Sequence, residues 1–176
     1  MNNEAEMTAE EEFEMTSKIR CFEETVSVTR LLKFDAGHRV YGHQGKCQYP
    51  HGHEYHVQIT ATPCDGLGLD ELGMVVDFSV IKEKVGAWID ENLDHGFLVY
   101  EEDHEMLNAL RSVKGSKIYV MDSNPTAENI ARLLMEKAHE LLASDNVDVL
   151  KVRVQETSNC FATFKYVEVD DDDDGD

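Results

Sequence analysis

The sequence predicts an α+β domain: a four-stranded antiparallel sheet with helices packed on one face. Three observations point there. Two segments with alternating apolar and polar residues open the central chain, and two more close it. Between them, apolar residues recur at steps of three or four, the period of an amphipathic helix. The resulting order, β-β-α-(α)-α-β-β, separates strands from helices, and no internal repeat is obvious.

The first strand is expected from about Cys21 to Phe34, where Val26 and Val28 alternate with polar neighbours. Five glycines and prolines in residues 37–52 mark a loop. His53–Thr62 reads as a second strand, broken by Pro63-Cys64-Asp65-Gly66. Phe78, Ile81, Val85, Trp88, Ile89 and Leu93 define a helix that stops near Gly96. A weaker helix is expected over Glu102–Arg111, and a short strand over Lys117–Met121. Asn124-Pro125-Thr126-Ala127-Glu128 starts the next helix, with Thr126 as N-cap, or Asn124 with Pro125 in the first turn. Ile130, Leu133, Leu134, Ala138, Leu141 and Leu142 form its apolar stripe. In Val149–Gln155, alternation places Leu150, Val152 and Val154 on one face, and Glu156 continues that face by parity. Cys160–Val167 is the last strand.

The chain of 176 residues suffices for one domain with a real core. Its net charge of −20 is concentrated at the ends: residues 1–17 carry six acids, residues 168–176 carry seven, and neither stretch has a base. The remainder holds 23 acids against 16 bases. We therefore expect acidic, disordered tails over 1–20 and 168–176 flanking a domain over 21–167. The acidity argues against binding a nucleic-acid backbone. No apolar run approaches the roughly 18 residues of a membrane span, and no basic-then-apolar leader opens the chain, so a soluble cytoplasmic protein is expected. Cys21, Cys47, Cys64 and Cys160 lack CxxC pairing and are expected to be free thiols.

The chemistry concentrates in residues 34–57. His38, His51 and His53 have metal-ligand spacing, and a His-x-His pair on a strand presents both rings on one face. Three histidines suggest an open, catalytic zinc site; Cys47 as a fourth ligand would instead close it into a structural one. A thiol near a divalent cation also has a lowered pKa and can serve as base or nucleophile, an effect that Lys46 would reinforce. His56 has the opposite parity to His53 and should point away, and His43 reads as a surface loop residue. Asp94-His95 ends a helix, where a carboxylate can orient an imidazole for proton transfer. Glu156 is a carboxylate on an otherwise apolar face, which calls for a partner such as paired N–H donors.

Taken in order, FDAGH, CQYPHGHEYHV, VVDF, LDH, NPTAEN and QET resemble the 6-pyruvoyltetrahydropterin synthase / 6-carboxytetrahydropterin synthase family, from about residue 21 to 167. The resemblance implies a tunnelling fold of two-helix, four-stranded subunits in trimers or hexamers, with sites between subunits. It implies His38, His51 and His53 as ligands of Zn2+ and Cys47 as the thiol that removes a substrate proton. It implies Asp94 and His95 as the pair handling a second proton. Glu156 would hold the pterin and join the relay, and Thr126 would line the pterin pocket. The implied substrate is 7,8-dihydroneopterin triphosphate, with Arg39, Lys46 and Lys165 as candidate phosphate contacts. Cys47 stands four residues before His51, which resembles the 6-carboxytetrahydropterin branch that serves queuosine and related 7-deazaguanine synthesis. That branch releases acetaldehyde and triphosphate. One departure from the family pattern is a longer stretch between His95 and Pro125, which adds the Glu102–Arg111 helix.

Overall fold

The computed structural model describes residues 25–64 and 67–167. Both acidic tails, the start of the strand expected from Cys21, and Asp65-Gly66 lie outside the described residues. Six strands form one sheet: β1 (Val28–His38), β2 (His51–Pro63), β3 (Gly96–Tyr100), β4 (Ile118–Met121), β5 (Val147–Thr157) and β6 (Cys160–Lys165). Their order is β4-β3-β1-β2-β5-β6. The expected antiparallel four, β1, β2, β5 and β6, are all present. The sheet is larger than expected because β3 and β4 add to it in parallel, at the β1 edge. The sequence pattern does not mark Gly96–Tyr100 as a strand, because a five-residue, mostly apolar run has too little length to show a period.

Helix α1 starts as Phe78–Ile81, continues through a π-helical turn at Lys82–Gly86 and ends as Ala87–Asn92. Asp77 caps it by accepting the Ser79 N–H at 2.7 Å. Helix α2 (His104–Ser112) is capped by Asp103, and α3 (Ala127–Leu142) by Thr126, as predicted. Helix α3 buries Ile130, Ala131, Leu134, Met135, Ala138 and Leu142, packing against β5 and β6 and against the π turn of α1. The core closes with Phe34, Tyr55, Val57 and Ile59 from the sheet and Ile81, Val85 and Ile89 from α1. Residues of β3 alternate between two clusters: Leu98 joins this core, while Val99 packs with Met106 and Leu107 of α2. By the period of a strand, α2 therefore covers the other face at this end of the sheet.

Two expectations are corrected by backbone detail. The first strand does not stop before a loop at Gly37; it runs on to His38, and β2 begins at His51. Gly37 here marks close approach rather than a turn: a Cβ would meet the Phe97 ring at 2.5 Å, because β3 pairs with residues 36–38. The second correction concerns Leu150, which is exposed rather than inward. A β-bulge shifts the β2–β5 register between Thr60 and Ala61, so Lys151 and Val149 are paired and Leu150 between them is skipped. Beyond such a bulge the inward parity changes, and Val147 and Val149 take the core face.

Gly37→Ala is expected to destabilise the protein by about 1–3 kcal/mol, the usual cost of overpacking. Urea denaturation would read this, and the penalty should shrink in a Phe97→Leu background. Equal penalties in both backgrounds would sink the steric explanation.

Candidate active site

The pairing of β1 with β2 places Gly37 opposite Gly52, His38 opposite His51 and Ala36 opposite His53. The His-x-His pair thus meets the third ring across the strand, with all three, by strand parity, on the sheet face that α1 and α3 cover further along. Ring centroids lie 4.4 Å apart for His38 and His51, 5.2 Å for His38 and His53, and 5.0 Å for His51 and His53. One ligand nitrogen from each ring falls within 4.8 Å of the others. Gly52 permits this closeness, since a Cβ there would meet the Ala36 carbonyl oxygen at 2.9 Å.

Two rings are fixed through their other nitrogen. His38 Nδ1 lies 2.6 Å from the Pro125 carbonyl oxygen, and His51 Nδ1 lies 2.7 Å from that of Tyr49. A carbonyl only accepts, so Nδ1 carries the hydrogen in each neutral ring and Nε2 presents its lone pair. Burial pushes the pKa of His38 and of His53 below the ordinary histidine value, which keeps both neutral and able to ligate. His38 is 2% exposed and its Nε2 makes no hydrogen bond. A buried polar atom without a partner costs free energy unless something meets it. The donor set fits a divalent metal, and Cys47 lies outside the ligand cluster.

Cys47 is exposed, on the 3₁₀ turn Lys46–Gln48 that precedes β2. It lines a cavity of about 260 Å³ together with His43, Thr126, Glu128, Glu156 and Cys160, among others. Cys47, Thr126 and Glu156, far apart in sequence, therefore share one cavity. Glu156 is skipped by the ladder: a second bulge shifts the β5–β6 register between Gln155 and Thr157. Its Oε1 lies 3.4 Å from His38 Nε2 and 3.8 Å from His53 Nε2. Tyr55, fully buried, donates its hydroxyl to that oxygen at 3.4 Å. Burial, with Glu156 alongside, raises the Tyr55 pKa, so the phenol stays a donor. Sequence reasoning missed Tyr55; its parity with His53 on β2 was the available signal.

Asp94 and His95 stand elsewhere. His95 lines a separate opening with Gly37, Gly52 and His53, and its side chain is 78% exposed. Its backbone is left-handed, with φ of 56°, a conformation that costs a non-glycine residue about 1–3 kcal/mol. The left-handed residue after α1 is thus His95 rather than Gly96. The turn is held by His95 N–H to the Asp35 carbonyl at 2.7 Å and by Asp35 N–H to Asp94 Oδ1 at 2.8 Å. Asp94 Oδ2 lies 2.6 Å from His95 Nδ1, the geometry of a carboxylate orienting an imidazole. Partial burial works to raise the Asp94 pKa, but the Asp35 N–H, His95 and Lys117 hold it below its usual range. Lys117 also donates to the carbonyls of Asp90 and Asp94, closing the end of α1.

The remaining candidates sort clearly. Arg39 is not free for a phosphate: its guanidinium bonds Asp103 at 2.6 and 2.5 Å and Glu105 at 3.0 Å. Lys46 is exposed beside Cys47, whereas Lys165 sits at the far end of β6 from Cys160. His56 points away as expected and meets Glu54 at 2.9 Å. His43, read as a surface loop residue, borders the Cys47 cavity and accepts the Gly45 N–H at 2.7 Å. A cavity of about 560 Å³ lies between β1 and α1 near Arg30, His56 and Lys82, and Cys47, Glu156 and the three clustered histidines do not line it.

Comparison with known proteins extends this picture. The family model described as 6-pyruvoyl tetrahydropterin synthase matches residues 27–166. A Rickettsia bellii protein named 6-carboxy-5,6,7,8-tetrahydropterin synthase is 45% identical over 137 residues, 77% of this chain and 97% of that one. An uncharacterised Wolinella succinogenes protein of known structure superposes with a TM-score of 0.69 at 22% identity, over 81% of this chain and 99% of that one. The Caenorhabditis elegans 6-pyruvoyl tetrahydropterin synthase gives 0.60 at 24% identity, covering 82% and 97%.

If the three histidines hold a divalent metal, His38→Ala should weaken the affinity for added Zn2+ by more than the ~10–100-fold that losing a supporting contact costs. Titration with a chromophoric chelator reads this, and wild-type affinity in the variant would remove His38 from the ligand set. The Arg39 guanidinium holds Asp103 below the usual carboxylate range. A depressed pKa contributes stability that is complete above the unfolded value of about 3.9 and is lost as the pH falls through the folded value. The stability gap between wild type and Asp103→Asn should therefore hold at neutral pH and close below about pH 4. A gap unchanged from neutral to pH 3 would contradict this assignment.

Proposed function

The chain belongs to the 6-pyruvoyl tetrahydropterin synthase family, and we propose that within it the chain is a zinc-dependent 6-carboxy-5,6,7,8-tetrahydropterin synthase. This carbon–carbon lyase converts 7,8-dihydroneopterin triphosphate and one water to 6-carboxytetrahydropterin, acetaldehyde and triphosphate. The observation that carries the reading is the sharing of one cavity by Cys47, Thr126 and Glu156, with Glu156 reaching back to the histidine cluster. The choice of branch is supported by the name of the Rickettsia bellii relative and by Cys47 standing four residues before His51.

His38, His51 and His53 would hold the zinc, which supplies Lewis-acid polarisation of the substrate side-chain oxygens. Cys47, as thiolate, takes a proton from the substrate side chain at Sγ. Glu156 fixes the pterin by paired hydrogen bonds, with the Tyr55 hydroxyl steadying one carboxylate oxygen. Thr126 borders the ring pocket. His95, oriented by Asp94, handles the second proton through Nε2. Its exposed ring, in an opening separate from Cys47, supports a site completed between copies of the chain, hence a trimer or hexamer. Placement in queuosine or related 7-deazaguanine synthesis, in the cytoplasm, follows from this reading.

The test is product analysis on the zinc-loaded protein given 7,8-dihydroneopterin triphosphate, with acetaldehyde and 6-carboxytetrahydropterin expected. A pyruvoyl tetrahydropterin without acetaldehyde would overturn the branch in favour of 6-pyruvoyltetrahydropterin synthase. Cys47→Ala should keep one zinc per chain while turnover falls by about 10²–10⁴-fold, the range for a lost acid–base group. Loss of zinc in that variant would point instead to a closed structural site.

A further inference from the structure

We infer that Asn124 is a positioning residue for the Cys47 thiol, holding the thiol loop in register with the first turn of α3; the inference rests on the function proposed above. The loop between β1 and β2 closes on itself: Val40 N–H donates to the Cys47 carbonyl at 2.8 Å and His43 N–H to the Val40 carbonyl at 3.2 Å. These bonds shape the loop without placing it relative to the opposite wall of the cavity. Asn124 supplies the placement. Its Oδ1 accepts the Tyr41 N–H at 2.6 Å, and its Nδ2 donates to the Tyr41 carbonyl at 3.0 Å. The side-chain amide thus pairs with a backbone residue as a neighbouring strand would, using both its acceptor and its donor. Among the described residues, these two bonds are the ones that tie residues 40–48 to residues 124–129.

The clamp is itself held. The Asn124 carbonyl accepts from Asn129 Nδ2 at 2.8 Å and from Thr126 N–H at 2.8 Å, so the first turn of α3 grips it from behind. Three successive residues then serve three parts of one site. Asn124 holds the thiol loop, the Pro125 carbonyl holds the His38 ring, and Thr126 borders the cavity. Pro125 has a fixed φ and no N–H of its own, which keeps this triplet stiff. The spacing between thiol, metal ligand and pterin pocket is therefore set by one short segment. Asn124 is not among the residues that line the Cys47 cavity; it acts through the loop. Aspartate at this position would keep the acceptor for Tyr41 N–H and lose the donor.

The test uses the full chain, zinc-loaded, as wild type, Asn124→Ala and Asn124→Asp, with 7,8-dihydroneopterin triphosphate as substrate. Misplacing a reacting group by about 1 Å can cost about a hundredfold in rate. We expect kcat in Asn124→Ala to fall by about 10–100-fold on that ground, with KM little changed and one zinc per chain retained. Asn124→Asp should recover part of the loss, and deuterium exchange over residues 39–49 should quicken in Asn124→Ala. Unchanged kcat alongside faster exchange would overturn the inference. So would an equal kcat loss in Leu141→Ala, a variant that weakens α3 at its other end. If the wild type does not turn over this pterin, the proposed function fails, and the clamp is read from the rate of Cys47 alkylation by iodoacetamide. A rate that differs between wild type and Asn124→Ala supports the clamp, and equal rates reject it.

Discussion

The site depends on one backbone constraint, the register of β1 against β2. Because Gly37 faces Gly52, His38 faces His51 and Ala36 faces His53, three imidazoles converge on one face of a two-strand ribbon. A slip of one residue would turn the rings to the opposite face. The register is secured from both sides: hydrophobic residues of β1 and β2 lock into the core below it, and β3 pairs with the last residues of β1 beside it. The small residues around the histidines are part of the same device. Gly37 admits the Phe97 ring and Gly52 admits the Ala36 carbonyl, so the strands can close tightly where the rings meet.

Around that ribbon, irregularities place the side chains of the proposed site. The bulge that skips Glu156 lies where its carboxylate reaches His38, His53 and Tyr55, while the same strand keeps Val152 and Val154 in the core. His95 adopts a left-handed backbone, held by Asp35 and Asp94, with Lys117 closing the helix end. The segment Asn124–Thr126 that leads into α3 meets the thiol loop, the His38 ring and the Cys47 cavity within three residues, since the approach to a capped helix offers carbonyls and side chains at fixed spacing. These features sit at the ends of regular elements, where a ladder or helix stops and backbone groups need other partners.

The charge pattern separates in the same way. The Arg39–Asp103 pair, with Asp103 1% exposed, commits the one cation adjacent to His38 to anchoring α2. Arginine in a bidentate, mostly buried pair is poorly placed to be withdrawn for a ligand, since breaking the pair leaves a buried charge behind. Lys46, next to Cys47 in the chain, keeps its exposure.

Much of this was legible in the sequence. Period and capping placed α1 and α3, since apolar spacing and a Thr cap are local properties. The histidine spacing announced a metal site, because the His-x-His alternation of a strand is local too. Other features depended on partners distant in the chain. Gly37 read as a loop because its reason for being glycine, the Phe97 ring, lies sixty residues on. Leu150 read as inward because a bulge leaves no mark in an alternation pattern. Arg39 read as a phosphate contact because its charge was visible and Asp103 was not. Sequence by itself determined which residues can ligate, abstract a proton or cap a helix, for those are properties of side chains. Tertiary structure alone decided which of them meet, because strand register, bulges and buried ion pairs are settled by contacts between segments that the chain brings together only on folding.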